Sequence, residues 1–487
     1  MNHEITKSKV LSSLFWKLIE RGGTQGIQFL VTIILARLLL PEEFGVIIIV
    51  TIFIAISGVF VQSGFNTALI QKKNADEIDF SSVFYLCLVV ASILYSVLYL
   101  TAPTIAAFFG NSELVSVLRV LSLTLFFGAV NSVQIAVISR NMHFKKLFIG
   151  SFGAIIISGI VGILMAYENF GIWALVVQQL TNQFIVAVIL WFLVKWRPKL
   201  IFSFERIYIL FKFSWKLLVA GLIDTLYKNL SSLIIGKMYS PGMLGFYNRG
   251  EQFPNLIVSN IDGSIQSVML PTLASYQNNK QRVKEIVRRA IVTSSFIVLP
   301  VMVGLAVIAE SLVNILLTEK WLPAVPFLQI FCASYALWPI HTANLQAINA
   351  LGRSDIFLKL EIVKKIIGLI ILGISIPFGV YAMALGVLVT SIISTFVNAY
   401  PNLKLINYSI QEQWKDIIPS LFLSIAMGSV VYSIQWFGMT AIITLIVQII
   451  AGLVIYIGLA KLFKLECFNY LLLTMKDIFR SKKGVGI

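Results

Sequence analysis

Residues 35–45 read LARLLLPEEFG and residues 234–246 read IIGKMYSPGMLGF: an apolar run, one cation, then Pro-x-x-[Phe/Leu]-Gly. Working outward, FWKLIERGG at 15–23 matches SWKLLVAGL at 214–222, which pairs Trp16, Lys17 and Gly22 with Trp215, Lys216 and Gly221. Later, FGIWAL at 170–175 matches FGVYAM at 378–383. The offsets are 199 residues (17 to 216), 200 (41 to 241) and 208 (170 to 378), each at the same place in the hydropathy pattern. The chain holds two copies of one unit. Proline fixes the backbone and stops a helix, and glycine tolerates close approach where the next helix begins, so the motif reads as an architectural turn.

Of 487 residues, 58% are hydrophobic and only 12% charged, with a mean hydropathy of +0.90, far from a soluble domain. A membrane span needs about 20 mostly apolar residues. That ruler places fourteen segments near 12–39, 44–69, 80–101, 114–138, 144–166, 171–194, 208–236, 243–270, 287–309, 324–350, 356–376, 379–400, 417–436 and 439–462. The expected fold is an all-α polytopic membrane protein of about 14 transmembrane helices. Six spans per copy keep the two copies in the same orientation, as parallel repeats about an axis along the membrane normal. The expected organisation is an N-lobe at 1–200 (helices 1–6), a C-lobe at 201–405 (helices 7–12), and helices 13–14 with a basic tail at 406–487. Glu20 and Arg21 interrupt what would be a signal peptide's apolar core, so the first span is expected to be retained.

About 25 Lys and Arg fall on the side of the N-terminus, against Lys237 and Lys320 opposite, so both termini are expected in the cytoplasm. The net charge of +16 is then mostly orientation signal and attraction to anionic membrane lipids. Scattered over short loops, these cations do not form a nucleic-acid surface. Cys87, Cys332 and Cys467 lack metal or redox spacing, and with three histidines in the chain no metal site, disulfide framework or cofactor is expected.

Three spans carry polar stripes. On span one, Lys17, Glu20, Arg21, Thr24, Gln25, Gln28 and Thr32 fall within an arc of roughly 140° at helical pitch. On span seven, Lys212, Lys216, Asp224, Tyr227, Lys228 and Ser231 occupy roughly 160°. On span eight, Asn248, Gln252, Asn255, Ser259, Asp262 and Gln266 recur at spacings of four, three, four, three and four. A charge at the bilayer centre costs about 2.5–3.5 kcal/mol, so such faces point to a bundle interior or a watery cavity. For any one residue the bland alternative is snorkelling or local pairing, as in Asp224 with Lys228. Lys17, Arg21, Lys212, Lys216, Lys228 and Arg249 outnumber Glu20, Asp224, Glu251 and Asp262, which favours an anionic cargo.

Together with LARLLLPEEFGV, the stretch LGFYNRGEQFPN…QSVMLPTLASYQNNKQRVKEIVRRA from Leu244 to Ala290 resembles the polysaccharide-exporter, Wzx-type flippase family of the MOP superfamily. The likeness is greatest to the colanic-acid and teichuronic-acid exporter subgroup. It implies a MATE-like six-plus-six-plus-two helix layout and an inner-membrane flippase for undecaprenyl-diphosphate-linked oligosaccharides, working by alternating access. It implies cationic lumen residues for the diphosphate, carried here to Lys17, Arg21, Lys216 and Lys228, with Arg249, Gln28, Gln252, Asn255 and Ser259 completing the expected substrate-binding set. Glu20, Asp224 and Asp262 are the ion-coupling candidates. Expected partners are the lipid-linked oligosaccharide, membrane lipids and a glycan polymerase or export machinery, with the chain acting as a monomer and not as an enzyme. The alternatives are an ion-coupled multidrug or small-metabolite antiporter of the same fold, a membrane glycan polymerase or glycosyltransferase, and a structural scaffold. The longest outer connection, ESLVNILLTEKWLP, is short for an enzyme's acid–base site.

Overall fold

A computed structural model describes residues 7–62 and 64–473, with side chains from 16 onward except those of 18 and 21. Every regular element among the described residues is helical. The first helices are α1 (Lys7–Leu38), α2 (Pro41–Gln62), α3 (Phe65–Gln71), α4 (Glu77–Phe109), α5 (Glu113–Leu121), α6 (Thr124–Arg140), α7 (Phe144–Tyr167), α8 (Ile172–Leu193) and α9 (Phe204–Met238). There follow α10 (Pro241–Ser275), α11 (Lys280–Val307), α12 (Ala309–Leu317), α13 (Val325–Tyr335), α14 (Trp338–Ala350), α15 (Ser354–Ser375), α16 (Val380–Ile406), α17 (Ile410–Ser433) and α18 (Ala441–Leu462).

Among the described residues, ten spans are long and apolar enough to cross a membrane: α2 with α3, α4, α5 with α6, α7, α8, α11, α13 with α14, α16, α17 and α18. The long helices α1, α9, α10 and α15 fall outside that set. Three of them carry the polar stripes, and α15 carries Lys359, Lys364 and Lys365.

The repeated turn is built as the start of a helix rather than the end of one. Pro41 and Pro241 are the first residues of α2 and α10, where a missing N–H costs nothing. In the first copy the Glu43 carboxylate accepts from the Leu40 N–H at 2.6 Å; in the second the Ser240 hydroxyl accepts from the Met243 N–H at 3.1 Å. Gly45 lies against the backbone of Pro241 and Gly245 against that of Pro41, so closely that a Cβ at either would overlap the opposite carbonyl. The two copies of the turn pack reciprocally, and this is why each needs its glycine.

By contacts the chain divides into two compact units, 1–245 and 246–487. In the first, α7 packs between α1 and α8, and α9 lies along α2, α3 and α4. Its core joins Val61, Phe65, Leu69, Phe80, Phe84, Ala91, Val133 and Leu210. The link from α8 to α9 is pinned to α4, because Ser81 and Ser82 accept from the backbone N–H groups of Lys199 and Ser203, each at 3.0 Å. At the start of α4, Lys72 pairs with buried Asp79 at 2.6 Å and Arg206 with Asp76 at 3.3 Å. Arg140 donates to the carbonyls of Leu69, Lys72 and Lys73 and so closes the α3–α4 turn onto α6.

In the second unit, α11 packs on α13, α14 and α17, and α15 pairs with α16. Trp321, Phe327 and Phe331 are fully buried. Gly250 of α10 sits against the Ala324–Leu328 turn, where a side chain would collide with backbone.

Candidate functional site

The stripes fold into different environments. On α1, Lys17 is exposed, with its ammonium 5.5 Å from the centre of the Phe144 ring at the start of α7. Glu20 is half-buried, while the side chain of Arg21 lies outside the described residues. Thr24 donates to the Glu20 carbonyl, and Thr32 to the Gln28 carbonyl at 2.6 Å, so these hydroxyls serve their own helix. Gln28 stays half-buried.

On α9, Lys216 is exposed. Lys228 and Asp224 form the i,i+4 pair foreseen as the bland alternative, at 2.8 Å and with side chains 70% and 46% exposed. Their charges offset each other, so Lys228 is part of a pair rather than an isolated cation.

On α10 the polar face is largely engaged within the second unit. Arg249 is 7% exposed, donates to Gln252 and stacks 5.1 Å from the centre of the Trp321 ring. The Glu251 carboxylate accepts from the Tyr335 hydroxyl at 2.9 Å. Asp262 accepts from Thr342, and from Gln266 at 2.7 Å. Asn255 and Ser259 are half-buried; Ser259 donates to the Leu256 carbonyl at 3.4 Å.

Sequence reasoning missed the polar seam that continues from α14 into α16 and α17. His341 contacts Ser391, Thr395 and Asn398 at 3.1–3.4 Å, and Asn344 exchanges hydrogen bonds with Gln413 while accepting from Asn402 at 2.7 Å. The signal was present. Ser391, Thr395, Asn398 and Asn402 recur at four, three and four, the same cadence as on α10.

The first unit contains an open cavity of about 520 Å³ between α2, α3, α6, α8 and α9. Gln62, Thr67, Thr124 and Gln183 contribute amides and hydroxyls, and Gly58, Gly64, Gly128 and Gly221 leave backbone uncovered. Among the described residues no charged side chain lines it, nor do Lys17, Lys216 or Gln28. A surface of neutral donors and acceptors can replace water around hydroxyl groups. On α6, Asn131 and Gln134 are buried, and neither amide has a hydrogen-bond partner among the described residues.

Residues 34–326 match the family described as polysaccharide biosynthesis proteins. The chain is 22% identical over 440 residues to the lipopolysaccharide biosynthesis protein WzxC of Escherichia coli strain K12, covering 87% of this chain and 88% of that protein. It is 23% identical over 409 residues to the teichuronic acid biosynthesis protein TuaB of Bacillus subtilis strain 168, covering 82% and 84%. Its fold is similar to that of the lipid II flippase MurJ in an inward closed conformation, with a TM-score of 0.76 at 16% identity over 92% of this chain and 98% of that one. The match over more than half its length, with likeness to two glycan-assembly proteins along most of theirs, makes this chain a member of the polysaccharide biosynthesis protein family.

Proposed function

We propose that this protein flips oligosaccharide repeat units linked to undecaprenyl diphosphate across the cytoplasmic membrane for surface polysaccharide export. The observation that carries this reading is a flippase fold along 92% of the chain in a member of a glycan-assembly family. The physics suits the task. Each unpaired glycan hydroxyl costs on the order of 2 kcal/mol or more in an apolar medium, whereas the lipid tail needs no transfer out of it. Neutral amides and hydroxyls such as those of the first unit's cavity supply the missing partners. A multidrug antiporter that holds its cargo with a carboxylate pair is less well served, because no carboxylate lines that cavity among the described residues.

In this proposal the ten apolar spans and the four long helices α1, α9, α10 and α15 cross the membrane, giving fourteen in two six-helix lobes plus α17 and α18. The lobes alternate access, and the protein acts as a monomer beside the glycan polymerase or export machinery. Asp262, with its Thr342 and Gln266 partners, is the coupling carboxylate we favour over Asp224, which Lys228 already pairs. Lys17 and Lys216, in matching Trp-Lys-Leu contexts and both exposed, receive the diphosphate from the two repeats and share its charge.

Charge reversal tests this in a strain whose surface glycan depends on the protein. Lys17→Glu with Lys216→Glu is expected to abolish export and leave lipid-linked repeat units in the inner leaflet. Normal export at normal protein level rejects the clamp; loss of export on deletion of the gene with no accumulation of lipid-linked repeat units in the inner leaflet rejects the flippase function.

A further inference from the structure

At the start of α11 the second unit contains a pocket of about 250 Å³ between this helix and residues 466–470, which follow α18. Three arginines line it, Arg282, Arg288 and Arg289, against two carboxylates, Glu285 and Glu466. Their roles differ. Arg288 is a fixed part of the wall, with its guanidinium 2.9 Å from Asp416 and 3.4 Å from Glu466. Arg282 pairs with Glu285 at 3.0 Å on the helix surface. Arg289 forms no ion pair within 4 Å among the described residues, with Glu285 one helical turn away as its nearest acidic influence; its guanidinium lies 4.4 Å from the centre of the Tyr470 ring. Stacking on a ring holds the planar fork in place and leaves its N–H edges available.

Position narrows the ligand. From Ala290 to Val307, α11 carries no charged residue, so Arg288 and Arg289 stand where its polar start gives way to a membrane-crossing run. That is the headgroup level of a bilayer. Ile286, Val292 and Tyr470 supply apolar lining beside the cations. At about 250 Å³ the pocket falls below the roughly 300–1,000 Å³ of drug-sized ligand sites, a size that suits a headgroup.

We propose that this pocket binds the phosphodiester of an anionic phospholipid, with Arg289 as the principal ligand and Arg282 as the second. The bound headgroup bridges α11 and the segment after α18, and so couples the packing of that segment to anionic lipid. The site is separate from the cavity of the first unit and does not depend on the cargo.

The test uses the full chain in detergent, with phosphatidylglycerol, phosphatidylcholine or inorganic phosphate added and bound lipid counted by native mass spectrometry. Phosphatidylglycerol is expected to bind and raise the unfolding temperature, and phosphatidylcholine to do neither. Arg289→Gln is expected to weaken phosphatidylglycerol about tenfold, and Arg289→Lys, which keeps the charge without the fork, by about two- to threefold. Unchanged binding by both Arg289 variants, or by a well-folded Arg282→Gln/Arg289→Gln double variant, overturns the proposal. So does displacement of the lipid by equimolar inorganic phosphate, which would assign the pocket to free phosphate.

Discussion

Gly45 and Gly245 show how far one missing atom can carry structure. Each faces backbone across the reciprocal turn contact, so an added methyl cannot be absorbed by a side-chain rotation. Overpacking of this kind typically costs about 1–3 kcal/mol. Gly45→Ala is therefore expected to lower the unfolding temperature of the purified protein, and Gly245→Ala likewise. Because both substitutions push on the same contact, the double variant should lose less than the sum of the two. Strict additivity would show that the turns do not bear on each other. At the same scale, the partners of the α10 stripe were out of reach of sequence reasoning: Tyr335 lies 84 residues from Glu251, and Thr342 80 residues from Asp262. Periodicity finds a polar face; it cannot say what that face meets.

The starts of helices follow local chemistry closely. α4 opens with a capping box in which Asp76 accepts from the Asp79 N–H at 3.0 Å and Asp79 accepts from the Asp76 N–H at 3.1 Å. The Asp79 N–H, aided by the Arg206 charge, holds the Asp76 carboxyl below its ordinary range. A depressed carboxylate stabilises the fold above its unfolded value, near 3.8, and that contribution is lost as pH falls through the folded value. Asp76→Ala is expected to cost about 1 kcal/mol at neutral pH. The difference in unfolding temperature from the wild type should shrink as the pH is taken below 4; a difference independent of pH would mean that the charge plays no part. Helices with charged ends run past their apolar segments for the same local reason. The span expected to begin near 287 starts at Lys280, because Asn279 caps it and Lys284 and Arg288 pair with Glu412 and Asp416 of α17. A hydropathy window registers only the apolar part.

For the whole molecule, the uneven distribution of Lys and Arg makes a topological prediction. A cysteine introduced at Ser481, beyond the described residues, should resist an impermeant thiol reagent applied to intact cells and react once the membrane is opened. The three native cysteines are buried and should contribute little background. Labelling from outside would reverse the orientation and, with it, the direction in which Lys17 and Lys216 are proposed to take up cargo.

What the sequence determined by itself was the all-helical, many-span character of the chain and the repeated turn motif. Long apolar runs can satisfy their backbone in a membrane only as helices, and a motif repeated at offsets of 199, 200 and 208 residues needs no third dimension to be recognised. The helical cadence of polar residues on α1, α9 and α10 was equally legible. Only tertiary structure decided what those residues do. It set Lys228 against Asp224, buried Arg249 beneath Trp321, left Lys17 and Lys216 exposed, and gathered Gln62, Thr67, Thr124 and Gln183 around one cavity of the first unit. The reason is physical: a polar side chain in a membrane protein must find a partner, water or a ligand, and which of these it finds depends on helices brought together from distant parts of the chain.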